Sequence, residues 1–154
     1  MKIIVDAFGG DHAPLAILQG AELAVKEYGV EILLAGSEQK IKQCAAQNGV
    51  DLTNMTILPA EEVISMHDDP TAVVKTKKQS SMAVGLRTLA EGAGDAFVSA
   101  GSTGALVVGG SMLVKRIKGV KRVALASVIP GKNNRFLMLD IGANAECRPE
   151  MLQQ

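Results

Sequence analysis

Residues 96–114 read Ala96-Phe97-Val98-Ser99-Ala100-Gly101-Ser102-Thr103-Gly104-Ala105-Leu106-Val107-Val108-Gly109-Gly110-Ser111-Met112-Leu113-Val114, without one Asp, Glu, Lys or Arg. An uncharged run of this length is nearly enough to cross a bilayer. Its centre, however, holds Ser99, Gly101, Ser102, Thr103 and Gly104, with Gly109, Gly110 and Ser111 beyond, a composition that makes a poor lipid-facing helix. A buried strand (Ala96–Ala100), a polar glycine loop and a helix capped by Thr103 and running to Lys118-Gly119 account for the same absence of charge. On that reading Lys115, Arg116 and Lys118 fall in the last helical turn, where cations complement the helix dipole.

The same strand, loop, helix grammar recurs on the amino-terminal side. Lys2–Ala7 is an apolar strand, followed by a turn-rich loop from Phe8 to Ala13 and a helix with Pro14 at its first position, Leu15, Leu18, Val25 and Tyr28 on one face, and a stop at Gly29. Val30–Ala35 is a second strand. Ser37 is placed to cap a second helix with Ile41, Cys44 and Ala45 inward and an end at Asn48-Gly49. Met55–Leu58 is a third strand, Glu61–Met66 a short element, and His67-Asp68-Asp69-Pro70 a turn. After the lysine-rich stretch at Lys75, Lys77 and Lys78, Ser80 or Ser81 caps a helix through Met82, Leu86 and Leu89 to Gly92. Val123–Ile129 and Phe136–Ile141 form a hairpin around Pro130–Arg135. Strand and helix alternate, so the expected fold is α/β: three layers, α/β/α, around a mostly parallel sheet.

Composition agrees. The chain has 154 residues, 47% hydrophobic and 21% charged, which excludes global disorder. Aromatic residues are 3% and Trp is absent, so the core is aliphatic, as suits helices packed on a β-branched sheet. Sixteen Lys and Arg balance sixteen Asp and Glu, and that neutrality argues against a general nucleic-acid binder. Cys44 and Cys147 make neither a CxxC pair nor a disulfide framework, and Ile3-Ile4-Val5 is too short for an export signal, so a cytoplasmic setting is expected.

Three glycine-bearing loops each follow an apolar strand: Asp6 to His12, Ser99 to Gly104, and Asp140 to Asn144. In a parallel sheet such loops converge on one rim and their polar groups meet in a cleft. Taken singly each is also an ordinary tight turn. Ser99–Gly104 runs straight into a helix, whose amino end offers unpaired N–H groups and partial positive charge to a phosphate. It is not a Walker A loop, since Gly110 stands where the lysine belongs, and no GxGxxG is present. There is no GxSxG elbow and no HExxH, and two histidines alone make a poor zinc site. His67 sits in an acidic turn as a solvated side chain. His12, after Asp11 in the first loop, is open to a rim role or to bonding a neighbouring backbone group. The cluster at Lys75, Lys77 and Lys78, followed by Gln79-Ser80-Ser81, suits a second anionic group or a solvated face.

Asp6-Ala7-Phe8-Gly9-Gly10-Asp11-His12-Ala13-Pro14, Lys75 to Met82, Ser99 to Ala105 and Asp140-Ile141-Gly142-Ala143-Asn144 together resemble, in order and spacing, the phosphate acyltransferases of bacterial phospholipid synthesis, the PlsX family. Phe8 stands where that family usually has Met, and Ser102 where it usually has Asn. Members run to roughly twice this length, so the resemblance implies that residues 1–154 are the N-terminal part of a single α/β acyltransferase domain similar to the isocitrate and isopropylmalate dehydrogenases. It also implies transfer of a long-chain acyl group from acyl carrier protein to inorganic phosphate, no metal or organic cofactor, a homodimer and possible peripheral membrane contact.

Carried onto this sequence, the phosphate and substrate residues are Asp6, Gly9, Gly10, Asp11, His12, Lys78, Ser80, Ser81, Gly101, Ser102, Thr103, Gly104, Asp140 and Gly142. Gly101 to Gly104 hold phosphate, Asn144 orients substrate at the catalytic centre, and Asp6, Asp11 and His12 organise the rim. Two other readings stand beside this one: a phosphotransacetylase that uses an acyl-coenzyme A, and a binding or dimerisation fragment without turnover. Because Pro149–Leu152 reads as the opening of a helix, the 154-residue piece is expected to lack normal turnover.

Overall fold

The computed structural model describes residues 1–140, 142, 149 and 153. They form two compact units, Met1–Val114 and Lys115–Gln154.

In the first unit the elements are β1 (Lys2–Asp6), α1 (Leu15–Tyr28), β2 (Glu31–Gly36), α2 (Glu38–Asn48), β3 (Met55–Pro59), α3 (Ala72–Lys75), α4 (Ser81–Ala90), β4 (Ala96–Val98) and α5 (Thr103–Gly109), the last continued by a π-helical stretch, Gly110–Val114. The four strands make one parallel sheet in the order β3-β2-β1-β4. Strand alternation then divides the core. Ile3, Val5, Ile32 and Leu34 pack with Leu18, Ala21, Ile41 and Ala45 of α1 and α2. Ile4 and Phe97 instead lie beneath Gly85 of α4, whose missing side chain lets helix and sheet approach. A second cluster joins Val73, Met82, Leu86 and Ala105 of α3, α4 and α5. The expected α/β layering is therefore present, with helices flanking a parallel sheet.

The strand order places the functional question. The chain winds from β1 to β2 to β3 on one side and then returns to set β4 on the other side of β1. Neighbouring loops leave in opposite directions where winding reverses, so a crevice opens at the carboxyl ends of β1 and β4. The first two glycine loops are the ones that follow β1 and β4.

Several local expectations change. Pro14 is the residue flanking α1, not its first helical position, and Tyr28 points to solvent at the end of that helix. Gly29 and Gly49 close α1 and α2 in the left-handed conformation, as expected, while Ser37 makes no side-chain cap bond. A short helix, α3, precedes the lysine-rich stretch and ends at its first lysine, Lys75. Of Glu61–Met66, only a bridge from Glu62 to Ser80 is regular. Ser80 caps α4, accepting from Ala83 N. Ser102, not Thr103, caps α5, accepting from Ala105 N.

The largest correction concerns the end of that last helix, which stops at Val114 rather than Lys118. The Gly109-Gly110 pair lowers helix propensity. The Ser111 hydroxyl donates back to Val107 O (2.7 Å), a bond that bends helices, and Lys115 takes a positive φ of 74°. Lys115, Arg116 and Lys118 thus lie beyond the helix, and the dipole reading of those cations fails.

In the second unit β5 (Ala126–Pro130) and β6 (Arg135–Leu139) form the expected antiparallel hairpin, from Ala126 opposite Leu139 to Pro130 opposite Arg135. Of the loop after β6, Asp140 and Gly142 are described; Asn144 and the helix opening at Glu150–Leu152 lie outside the described residues, as does Cys147. Among the described residues no helix is long and apolar enough to cross a membrane.

Candidate phosphate site at the carboxyl ends of β1 and β4

Asp6 ends β1 with only 2% of its surface exposed. Its carboxylate is divided between two loops. Oδ1 accepts from the Phe8 amide (3.2 Å) and Oδ2 accepts from the Ser99 hydroxyl (2.8 Å). Ser99 Oγ in turn accepts from the Gly101 amide (3.1 Å), so one buried carboxylate ties the loop after β1 to the loop after β4. A buried charge needs such partners to offset its lost hydration.

The two loops touch backbone to backbone. A Cβ at Gly9 would stand 2.6 Å from Asp6 Oδ2 and from Ser99 Oγ, and 2.9 Å from Gly101 N. A Cβ at Gly101 would meet the Gly9 Cα at 3.2 Å. Gly10, at φ 114°, leads the chain past Ala100. Here glycine is required by space at Gly9 and by conformation at Gly10.

The expected phosphate loop is therefore partly spoken for. Gly101 donates within the site, and the Ser102 oxygen serves as the helix cap. The first intrahelical bond of α5 runs from Leu106 N to Ser102 O. That leaves the amides of Thr103 and Gly104 without an acceptor among the described residues, as the geometry of a helix start dictates. Both residues are exposed, and the Thr103 hydroxyl lies beside them in sequence.

Below this loop sits a turn that sequence reading treated only as a turn. A Cβ on Gly104 would meet Pro70 Cγ at 3.0 Å, so Pro70 backs the loop directly. The turn is held by Lys77, whose ammonium donates to Asp68 Oδ2 (2.6 Å) and to Val63 O (2.9 Å). The Lys77 hydrogen bond, with that from the Ser65 amide, lowers the Asp68 pKa from 3.8 to about 2. Asp69 Oδ1 accepts from both the amide and the hydroxyl of Thr71, fixing the start of α3. Pro70 is the contributor that motif reading missed, and Ser99, read as the start of its loop, proves to be the link from that loop to Asp6. Ser99 stands two residues before Gly101 in the quoted run, whereas Pro70 acts through packing, which leaves no sequence mark.

The other expected residues divide. Asp11 and His12 are exposed on the first loop, with no side-chain hydrogen bond among the described residues. Ser80 and Ser81 are buried, and the Ser80 hydroxyl is occupied as a cap, donating to Lys77 O (2.7 Å). Of the lysine cluster, Lys77 is a structural clamp, while Lys75 and Lys78 are exposed. Asp140 and Gly142 belong to the second unit, both at positive φ.

Glycine loops meeting at the switch point of a parallel sheet, beside a helix start with two unpaired amides, define an α/β protein with a candidate anion site. Comparison with known proteins carries this further: the profile described as "Fatty acid synthesis protein" matches residues 1–154, and the chain belongs to that family. It is 43% identical over 154 residues to a phosphate acyltransferase of Clostridium kluyveri, covering all of this chain and 46% of the relative. It is 46% identical over 155 residues to a phosphate acyltransferase of Acetivibrio thermocellus, again covering all of this chain and 46% of the relative. To a phosphate acyltransferase of Caldicellulosiruptor bescii it is 44% identical over 150 residues, 97% of this chain and 45% of that one. The chain spans about half the length of the curated relatives it matches.

Proposed function

We propose that residues 1–154 form the phosphate-binding part of an acyltransferase that moves a long-chain acyl group from acyl carrier protein to inorganic phosphate, giving acyl phosphate for phospholipid synthesis. The observation that carries this reading is the pair of unclaimed amides at Thr103 and Gly104, held at the switch point by the Asp6–Ser99–Gly101 chain.

The chemistry asks for little else from these residues. Hydrogen phosphate is already an anionic nucleophile, so holding it beside the thioester supplies much of the acceleration through orientation. One phosphate oxygen attacks the carbonyl carbon, the C–S bond breaks, and the carrier's sulfur leaves as a thiol with the proton that phosphate gives up. Donors must also meet the developing oxyanion. Asn144 is the proposed source of one, and Asp140 and Gly142 are proposed substrate residues of the same loop. Asp11 and His12 remain proposed rim residues, and Lys78 a proposed contact for a second anionic group. The protein works as a homodimer in this reading.

The test uses proline. Thr103 is the first helical residue of α5, where proline is tolerated because its N–H has no helical partner. Ser102, at φ −59° and ψ 112°, already has the extended backbone that a following proline demands. Thr103→Pro therefore removes one phosphate donor and leaves the helix intact. Amide NMR during a titration with inorganic phosphate should show shifts at Thr103 and Gly104 in the wild type and binding weakened about tenfold or more in the variant, the worth of a hydrogen bond to a charged group. Equal affinity in the two proteins rejects the site.

A further inference from the structure

Beside the mouth of the phosphate loop, a groove of about 300 Å³ runs between α1 and the sheet. Asp6, Ser99 and Ala100 lie at its upper end, and its walls are Val5, Ile3 and Val98 from the sheet and Ile17, Gly20 and Ala24 from α1. Its volume lies at the lower end of the range for small-molecule sites, roughly 300–1,000 Å³. Below Asp6 the named walls are aliphatic, with no aromatic ring and no charge. Val98, on the edge strand β4, is 53% exposed.

Direction matters as much as lining. Because α1 returns antiparallel to β1, Ile17 is near the rim while Ala24 lies toward the amino ends of the strands, beside Ile3. From Ile17 to Ala24 the helix advances ~10 Å at ~1.5 Å per residue. The groove thus leads from the residues that flank the phosphate loop down an apolar channel, and Ser99-Ala100 passes directly into Gly101.

We infer that this groove takes the unbranched aliphatic chain of the acyl donor, with the reacting carbonyl at the Ser99 end. The inference rests on the phosphate reading given above and extends it to the other half of the reaction. The competing occupant of such a face is a second protein segment, which would have no reason to discriminate between chain lengths of a small ligand.

Gly20 supplies the experiment. It is helical, and a Cβ there would meet nothing within 4 Å, so a larger side chain enters the groove without displacing its neighbours. Gly20→Leu blocks the middle of the channel; Ala24→Leu narrows only its deep end; Gly20→Ala is the folding control. The probes are methylphosphonate, octylphosphonate and dodecylphosphonate, which join a phosphate-like head to tails of increasing length, used below their aggregation concentrations. In the wild type each buried methylene should add about fourfold to affinity. Gly20→Leu should erase the advantage of both long tails and leave methylphosphonate binding unchanged, whereas Ala24→Leu should penalise dodecylphosphonate more than octylphosphonate. Circular dichroism of each variant confirms folding. If the long tails keep their advantage in both leucine variants, or have none in the wild type, the groove is not an acyl site. If methylphosphonate binding is indifferent to Thr103→Pro, the phosphate reading fails instead, and the Gly20 and Ala24 results still judge the groove.

Discussion

Lys77 and Asp68 show how one pair of side chains can serve a site that neither touches. Their ion pair, at 2.6 Å, holds the turn that carries Pro70, and Pro70 supports Gly104. The hydrogen bond from Lys77 holds the Asp68 carboxyl at about 2, below its ordinary 3.8. A carboxylate whose pKa is lowered by folding contributes stability that is complete above the unfolded value and lost as pH falls through the folded one. The thermal midpoint of Asp68→Asn should therefore trail the wild type by a constant margin above about pH 4, with the margin closing as pH approaches 2. A margin that does not change over that interval would show that the pair contributes through shape and not charge. At this scale the sequence was only partly readable. Asp6, Gly9 and Gly10 could be picked out because a polar residue at a strand end and paired glycines leave marks in the string. The clamp at Lys77 could not, because within a run of three lysines nothing distinguishes the one that folds inward.

Glycines within the helices carry the same letter and opposite meanings. Gly20 faces open space in α1, whereas a Cβ on Gly85 of α4 would strike the Phe97 ring and approach Ile4 Cγ2 at 3.2 Å. Alanine favours a helix over glycine by about 0.5–1 kcal/mol, so Gly20→Ala should stabilise the protein by that amount. Gly85→Ala gains the same propensity but overpacks the helix against the sheet, a cost of about 1–3 kcal/mol, and should lower stability on balance. Urea denaturation of the two variants measures both signs. Strands and helices of the first unit were largely legible because hydrophobic period and helix stops agree: Gly29 and Gly49 end α1 and α2 as read. Legibility failed at α5. The uncharged run extends through Val114 and the cations follow at once, so periodicity alone gives no reason to stop before Lys118. The stop is a backbone event, set by Gly109, Gly110 and the Ser111 hydroxyl.

Across the whole molecule the neutral charge conceals an uneven division. Residues 1–114 carry eight Lys and Arg against thirteen Asp and Glu, net −5, and residues 115–154 carry eight against three, net +5. With Lys115, Arg116 and Lys118 outside any helix, their charge is available to the proposed acidic carrier protein. Reversal of Lys118 and Arg122 to glutamate should slow carrier association at low salt, with the difference from wild type fading as salt screens it. Equal rates at every ionic strength would leave the patch as solvated surface. The order of the sheet was not legible from residues 1–154: alternation predicts parallel strands but does not say that β4 lies beside β1. Yet that adjacency carries a consequence for how the protein is made. The Asp6–Ser99 hydrogen bond joins residues 93 positions apart, so the loop-closure entropy must be met before the bond forms. A nascent chain that has exposed only β1, α1 and β2 to solvent lacks the Asp6–Ser99 link, so the proposed anion site can form only after β4 has been threaded into place. Once it has, a phosphate bound at the proposed site would stabilise the finished sheet by mass action, and the proposed substrate would act as a late guardian of the native state.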